Sequence, residues 1–242
     1  MTPEKKLLSV QRILDMLFPN PEPPLCYKDP FTQLIAVLLS ASCTDERVNS
    51  VTPSLFALAS TPQAMAHLSV ETIQAIIRPC GLSLRKATAI KQLSCELVSR
   101  FGGDVPRSLK ELESLPGVGH KTASVVLVQA FGIPAFPVDR HIFRSARRWG
   151  LSSGTTVEAV EADLKKLFPQ REWAKRHLQI ILYARQFCRA VRHKECPICA
   201  LIDPNFQSSD LRSSPVRRGR TERTGGATPP SPDRASGKAQ GG

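Results

Sequence analysis

The chain has 242 residues, 41% of them hydrophobic, with a formal net charge of +12 and a sequence pI of about 9.7. This length can bury a sizeable core, and no apolar run approaches the ~18 residues that a membrane-spanning helix needs. The basic charge favours a polyanionic partner, most commonly nucleic acid, over a merely solvated basic surface. Residues 1–206 keep a net charge of +8, because residues 207–242 contain seven Lys or Arg against three Asp or Glu.

Apolar residues recur at helical spacing from about residue 4 to residue 187, for example at Val10 and Leu14 and again at Val160 and Leu164. The nearly apolar residues 31–40 predict a buried helix. Pro- and Gly-containing connections separate the other predicted helices, which cover 71–78, 85–101, 108–115, 120–131, 139–149 and 172–187. Strand-like alternation is absent, so the sequence predicts an all-α protein. Residues 207–242 have six Gly, six Ser and no aromatic residue, which predicts a disordered basic tail.

A tight turn joins two of these helices within residues 108–131. Pro116 ends the first helix, and Gly117 and Gly119 permit positive φ angles and the close approach of another backbone. The second helix begins at about His120, and its unsatisfied N–H groups favour a bound anion such as a DNA phosphate. A plain connection between two helices is the alternative, but the whole run LPGVGHKT is more specific than a Gly-x-Gly pair.

Lys121 lies in the first turn of that second helix. The helix dipole and desolvation disfavour an ammonium there, which favours a neutral, nucleophilic amine, although a phosphate-binding lysine is also consistent. The helix is about 18 Å long. The linker 132–138 spans up to about 23 Å, so the chain can return and place Asp139 beside Lys121. Asp139 is also a suitable helix N-cap. An amine with a carboxylate suits attack on the anomeric carbon of a nucleotide, followed by a Schiff base and β-elimination, without any cofactor.

Residues 115–123 (LPGVGHKTA) and 138–144 (VDRHIFR) resemble the endonuclease III family of helix–hairpin–helix DNA glycosylases, over about residues 5–200. The resemblance implies a bifunctional enzyme of base-excision repair, in which Lys121 is the Schiff-base lysine and Asp139 the essential carboxylate. Its substrates would be oxidised pyrimidines and abasic sites in double-stranded DNA. It also implies a monomer. Because the sequence begins with an amphipathic stretch and not with the apolar block of a signal peptide, we expect a cytoplasmic protein, placed at the nucleoid with its DNA. The fold would be two helical subdomains with a cleft between them: residues 1–22 with 134–206, and residues 23–133 with the helix–hairpin–helix at 108–131.

The same resemblance implies the DNA contacts. Leu82 would fill the space of an extruded base, although a loop leucine packed onto the core is the alternative. Ser42 stands where the family usually has a longer Gln, and Arg140 stands where it usually has Thr. Asp45 either lines the cleft or caps a helix. The remaining implied DNA-binding residues are Gly117, Val118, Gly119, His120, Thr122, His141 and Arg144.

Seven cysteines divide into two groups. Cys26, Cys43, Cys80 and Cys95 are scattered among apolar neighbours, which predicts buried thiols in a reducing compartment. Cys188, Cys196 and Cys199 cluster where the family often holds a 4Fe–4S cluster, but Asn205 stands at the fourth cysteine position. We expect the cluster to be lost. The alternatives are a cluster with a non-cysteine ligand, or zinc held by the three thiols with His193.

Three other functions are compatible with parts of the sequence. A sister branch, the adenine glycosylases acting opposite oxidised guanine, lacks a lysine at the position of Lys121. Oxoguanine glycosylases have a similar lysine and aspartate but are disfavoured by residues 141–144 and the cysteine remnant. A non-catalytic DNA-binding hairpin would need neither Asp139 nor a second subdomain.

Overall fold

The computed structural model describes residues 2–191, 193 and 196–203, and every regular element in these ranges is helical. Two single-turn 3-10 helices, Arg78–Cys80 and Gln170–Glu172, lie before α6 and α11. The predicted all-α class is confirmed. The α-helices are α1 (Pro3–Leu17), α2 (Pro30–Leu39), α3 (Asp45–Leu58), α4 (Pro62–His67), α5 (Val70–Ile77), α6 (Ser83–Phe101), α7 (Leu109–Glu113), α8 (His120–Phe131), α9 (Arg140–Arg148), α10 (Val157–Leu167), α11 (Trp173–Gln186) and α12 (Pro197–Ile202).

Local sequence accounts for many helix ends. A short polar side chain at the N-cap accepts a backbone N–H in each of α2, α3, α4, α5 and α10, which satisfies one of the unpaired donors of the first turn. These caps are Asp29, Thr44, Thr61, Ser69 and Thr156. At the other end, α6 and α8 stop at Gly102 and Gly132, both in the left-handed conformation that glycine adopts at little cost.

One hydrophobic core lies between α2, α3, α5, α6 and α8. Almost every residue of α2 is buried, which confirms the buried helix predicted over 31–40. The buried members of this core all fall between Phe31 and Leu127. The hairpin itself joins the core, because Leu115 and Val118 are buried within it.

A second hydrophobic core joins the N-terminal helix to the C-terminal half of the chain. Val10 and Leu14 of α1 pack with residues from Phe136 to Cys199. Trp149 and Tyr183 are fully buried at its centre and meet edge to face, with ring centroids 5.4 Å apart. The chain therefore has two helical subdomains, and the exact boundaries at residues 22 and 133 stay a prediction.

Some features differ from the sequence-based expectation. The pattern does not predict α3, because Pro53 interrupts it, but α3 tolerates this proline and buries Val48 and Leu55. Cys26 and Cys95 are exposed, Cys43 is half-buried and only Cys80 is buried, so the prediction of four buried thiols is wrong for most of them. The predicted tail 207–242 lies outside the described residues. Within the described part of the chain, no helix is long and apolar enough to cross a membrane.

Candidate active site

The hairpin between α7 and α8 has the geometry of an anion site. Gly117 has a φ of +78°, and a Cβ there would lie 2.8 Å from the Ala89 Cβ, so glycine is required. Gly119 has an ordinary φ of −101°, so the positive φ expected at both glycines occurs only at Gly117, while the open space around Gly119 leaves room for the close approach of another backbone. Val118 is buried, which leaves its backbone as the part able to meet DNA. The first-turn N–H groups of α8, those of His120, Lys121 and Thr122 included, have no partners within the helix.

His120 joins the hairpin to the second subdomain. Its Nδ1 lies 2.6 Å from Glu113 Oε1 and its Nε2 lies 2.9 Å from Glu161 Oε2, on α10. Burial lowers the pKa of this imidazole, but the two hydrogen-bonded carboxylates outweigh burial and the net pKa is raised. With both ring nitrogens engaged, a DNA contact by His120 falls to its backbone N–H.

Lys121 is half-buried in a pocket between the two subdomains. Burial lowers the pKa of its amine, and the positive charge of Arg185 lowers it further, while the negative charges of Asp139 and Asp45 oppose this effect. Asp139 therefore acts electrostatically on Lys121, 18 positions away in the sequence. The pocket is lined by Pro24, Leu25, Val37, Ser40, Asp45, Lys121, Val125, Gln129, His177, Leu178, Ile181 and Arg185.

Asp139 is the N-cap of α9. Its Oδ1 accepts the backbone N–H groups of His141 and Ile142, at 2.8 and 2.9 Å. These two bonds hold the carboxylate in one orientation. Asp139 does not line the pocket, but its charge acts on Lys121, so helix capping and this electrostatic role occur together. Arg140, the next residue, is exposed at the first turn of α9.

His177 is a pocket residue that the sequence does not reveal. It is fully enclosed on α11, and its Nδ1 lies 2.8 Å from the carbonyl oxygen of Pro137, so Nδ1 donates to that oxygen. Burial lowers the pKa of His177 to about 4. The negative charge of Asp139 opposes this shift, and the positive charge of Lys121 adds to it. The ring is therefore neutral near pH 7. Nothing in the spacing of residues 172–187 distinguishes it from a core histidine.

Arg185 and Asp45 form an ion pair beside the pocket, between α11 and the first turn of α3. Thr44, not Asp45, is the N-cap of α3, which leaves the Asp45 carboxylate available to the pocket. The pair links the two subdomains at the pocket and places opposite charges close to Lys121.

Two exposed loops carry the residues implied to replace an extruded base. Ser42 has a φ of +55° and Leu82 a φ of +48°, and they are the non-glycine residues with positive φ in the described part of the chain. Leu82 is 63% exposed, so its side chain does not pack back onto the core. Buried Lys86 lies between the loops, and its Nζ donates to the carbonyl oxygens of Leu39 (2.8 Å) and Cys80 (3.0 Å). One ammonium thus ties the end of α2 to the turn before Leu82.

Arg144 is half-buried and is used within the protein. Its guanidinium donates to the carbonyl oxygen of Cys188 at 2.7 Å and lies 3.4 Å from His141 Nδ1. Arg148, one turn later, donates to the carbonyl oxygen of Arg189 at 2.6 Å. Hydrogen bonds therefore join helix α9, which Asp139 caps, to the segment that carries the cysteines.

Cys188, Cys196 and Cys199 come together with His193. All four side chains are buried, and their donor atoms lie within 4.8 Å of one another. Hydrogen bonds from the Cys196 and Cys199 thiols, with help from Arg148, lower the pKa of Cys188. Three buried thiols and an imidazole are a donor set suited to zinc or to an iron–sulfur centre, so the residues present fit a metal group.

Comparisons with known proteins agree with this geometry. A family model described as "HhH-GPD superfamily base excision DNA repair protein" matches residues 35–170. Endonuclease III of Treponema pallidum (strain Nichols) is 49% identical over 185 residues, covering 76% of this chain and 87% of the relative. Endonuclease III of Escherichia coli (strain K12) is 43% identical with the same two coverages, 76% and 87%. A solved trapped Endonuclease III–DNA covalent intermediate has a TM-score of 0.77 at 38% identity, covering 82% of this chain and 94% of that chain.

The chain belongs to the HhH-GPD superfamily of base excision DNA repair proteins. Within that class it is a DNA N-glycosylase that also acts as an abasic-site lyase, with DNA as its partner. This activity is favoured over the sister glycosylase and over the non-catalytic hairpin considered from the sequence.

The expectation that the iron–sulfur cluster is lost is wrong. It depended on the missing fourth cysteine, but four buried donors converge without one, in a chain closely similar to Endonuclease III. The sequence offered His193 only as an alternative ligand for zinc, because the family spacing places the fourth donor after Cys199, whereas His193 precedes Cys196. The group would be held by Cys188, His193, Cys196 and Cys199, and it would organise this loop without entering the lysine chemistry.

Proposed function

We propose that the amine of Lys121 attacks the anomeric carbon of a damaged pyrimidine nucleotide while the bond from that carbon to the base breaks. The base leaves with a proton, and the sugar ring opens to a Schiff base on Lys121. Loss of a C2′ proton then breaks the bond from C3′ to its phosphate oxygen, which cuts the strand. The observation that carries this proposal is the half-buried lysine in a pocket with the Asp139 carboxylate acting on it.

The environment of Lys121 supports a nucleophilic role. An amine attacks only when it is unprotonated, and burial shifts Lys121 towards that form. Asp139 favours the ammonium in the resting pocket and can accept the proton that the amine must lose, or stabilise positive charge that develops on the sugar. Because Oδ1 is held by two backbone N–H groups, the carboxylate needs little reorganisation to do so.

The DNA would be gripped at two places. A phosphate would bind the N–H groups at the start of α8, where the helix dipole adds attraction. Leu82 and Ser42 would occupy the space left in the base stack when the damaged base turns into the pocket. Their exposure suits this role, and Ser42 fills less space than the glutamine usual in the family.

Borohydride trapping tests the proposal. We expect covalent adducts with duplexes that contain thymine glycol or an abasic site. Lys121→Ala should abolish trapping while DNA binding persists, and Asp139→Asn should slow turnover by orders of magnitude, since Asn still caps α9 but carries no charge. Lys110→Ala is the matched control, because Lys110 is an exposed lysine on α7. Trapping that survives Lys121→Ala, or full activity of Asp139→Asn, would contradict the assignment.

We also propose that the enzyme works in the cytoplasm at the nucleoid, because its substrate is chromosomal DNA and residues 1–206 are basic. Non-specific DNA affinity should fall steeply as salt rises, since bound phosphates release counterions. A fluorescent fusion that does not follow the DNA stain in cells, together with a flat salt dependence, would contradict this placement.

A further inference from the structure

We propose that His193 is the fourth ligand of the metal centre held by Cys188, Cys196 and Cys199. The histidine would replace, from a different place in the chain, the cysteine that the family pattern expects at Asn205. This inference goes beyond the proposed lysine chemistry and does not depend on it, because none of the four metal-ligating residues lines the pocket around Lys121.

The geometry brings the four donors to one point from three parts of the chain. Cys188 follows α11, Cys196 is the N-cap of α12, and Cys199 lies inside α12. His193 lies in the connection between the two helices. All four donor atoms are within 4.8 Å of one another, the Cys188 and Cys199 sulfurs are 3.9 Å apart, and none of the thiols is in a disulfide.

The types of donor point to a soft transition metal. Thiolates and imidazole bind zinc and iron–sulfur centres well, whereas an amide such as that of Asn205 is a poor ligand for either. The order Cys-x4-His-x2-Cys-x2-Cys keeps four ligands in a 12-residue segment, from 188 to 199. Such a centre would take its four ligands from one buried imidazole and three buried thiols.

Neighbouring groups are arranged to stabilise thiolates. The Tyr183 hydroxyl accepts the N–H of Ile198 at 2.9 Å, which leaves its own proton to point at Cys196 Sγ, 3.3 Å away. Arg148 Nη1 lies 3.7 Å from Cys188 Sγ. Donors of this kind orient metal ligands and offset their negative charge. With His193 as a neutral ligand, the centre carries one negative charge fewer than a four-cysteine centre.

Metal analysis of the full chain, purified without oxygen, tests the assignment. We measure iron, acid-labile sulfide and zinc per chain, together with the visible absorption of an iron–sulfur cluster. His193→Ala should lose most of the metal, and His193→Cys should retain it. If the metal is iron, His193→Cys should have a lower reduction potential, because replacing cysteine by histidine raises the potential of such clusters. His67→Ala is the matched control, since His67 is exposed on α4.

Iron with sulfide, or zinc, would each support the ligand set if the metal depends on His193 and not on His67. Wild-type metal content in His193→Ala would overturn the proposal. If His193→Ala does not fold, His193→Cys decides the question. An iron-loaded His193→Cys with the spectrum and reduction potential of the wild type would overturn the proposal. If the metal is zinc, a cobalt-substituted His193→Cys with the cobalt absorption of the wild type would overturn it. Borohydride trapping on abasic DNA, run in parallel, separates this outcome from failure of Lys121 as the nucleophile.

Discussion

Lys86→Met removes the ammonium that joins the two loops carrying Ser42 and Leu82. Methionine keeps most of the side-chain volume but leaves the carbonyl oxygens of Leu39 and Cys80 without this donor. Hydrogen bonds to a charged group contribute roughly 1.5–3 kcal/mol each, and relief of the buried charge offsets part of that loss. We therefore expect the free energy of unfolding to fall by about 2–3 kcal/mol.

The same change should slow extrusion of the base. A residue held at positive φ without being glycine costs about 1–3 kcal/mol, and the loops keep this conformation only while their surroundings enforce it. If the loops relax without Lys86, regaining one strained residue in the DNA complex costs about 1.4 kcal/mol, or roughly tenfold in rate. Stopped-flow fluorescence of 2-aminopurine placed beside the lesion measures this step.

Lys91→Met is the matched control for this experiment. The Nζ of Lys91 also donates to two backbone carbonyl oxygens, those of Ala66 and Leu68, both at 2.7 Å, but it does not touch either loop. It should lose comparable stability and keep the wild-type extrusion rate. Equal extrusion rates in wild type and Lys86→Met, or equal slowing in both variants, would refute the role of Lys86 in holding the loops.

Three further results follow from the site. Gly117→Ala should lose about 1–3 kcal/mol of stability in urea unfolding, because of the positive φ and the contact with Ala89. Gly119→Ala should leave stability within ~0.5 kcal/mol of the wild type. If a phosphate approaches Gly119, the same variant should weaken DNA binding in anisotropy titrations. The pKa of His120 is raised in the folded protein, so this residue should contribute stability that is fully present below its unfolded pKa and is lost as pH rises through its folded pKa. If His120→Gln and the wild type show the same dependence of the free energy of unfolding on pH, this prediction is wrong. Leu82→Ala should slow extrusion without changing the unfolding midpoint, since the side chain is 63% exposed, and an unchanged rate would count against its insertion into DNA.

Features that depend on neighbours in the sequence could be predicted. Helix periodicity, the turn at Gly117 and the N-cap at Asp139 follow from steric and hydrogen-bonding rules that act over a few residues. The linker length between α8 and α9 also limits how far Asp139 can lie from Lys121. The chemistry proposed for the pair could therefore be inferred from the sequence.

Other features were decided only by the tertiary structure. His177, Lys86 and Arg185 become part of the site through contacts with residues 40, 47 and 140 positions away. A buried histidine or lysine inside an amphipathic helix has no local signature that separates a site residue from a core residue. The same reason explains the error at the cysteines. The family spacing places the fourth ligand at Asn205, and the sequence offers His193 only as an alternative ligand for zinc. A metal needs only that four donor atoms meet in space, and His193 meets that condition from within the loop.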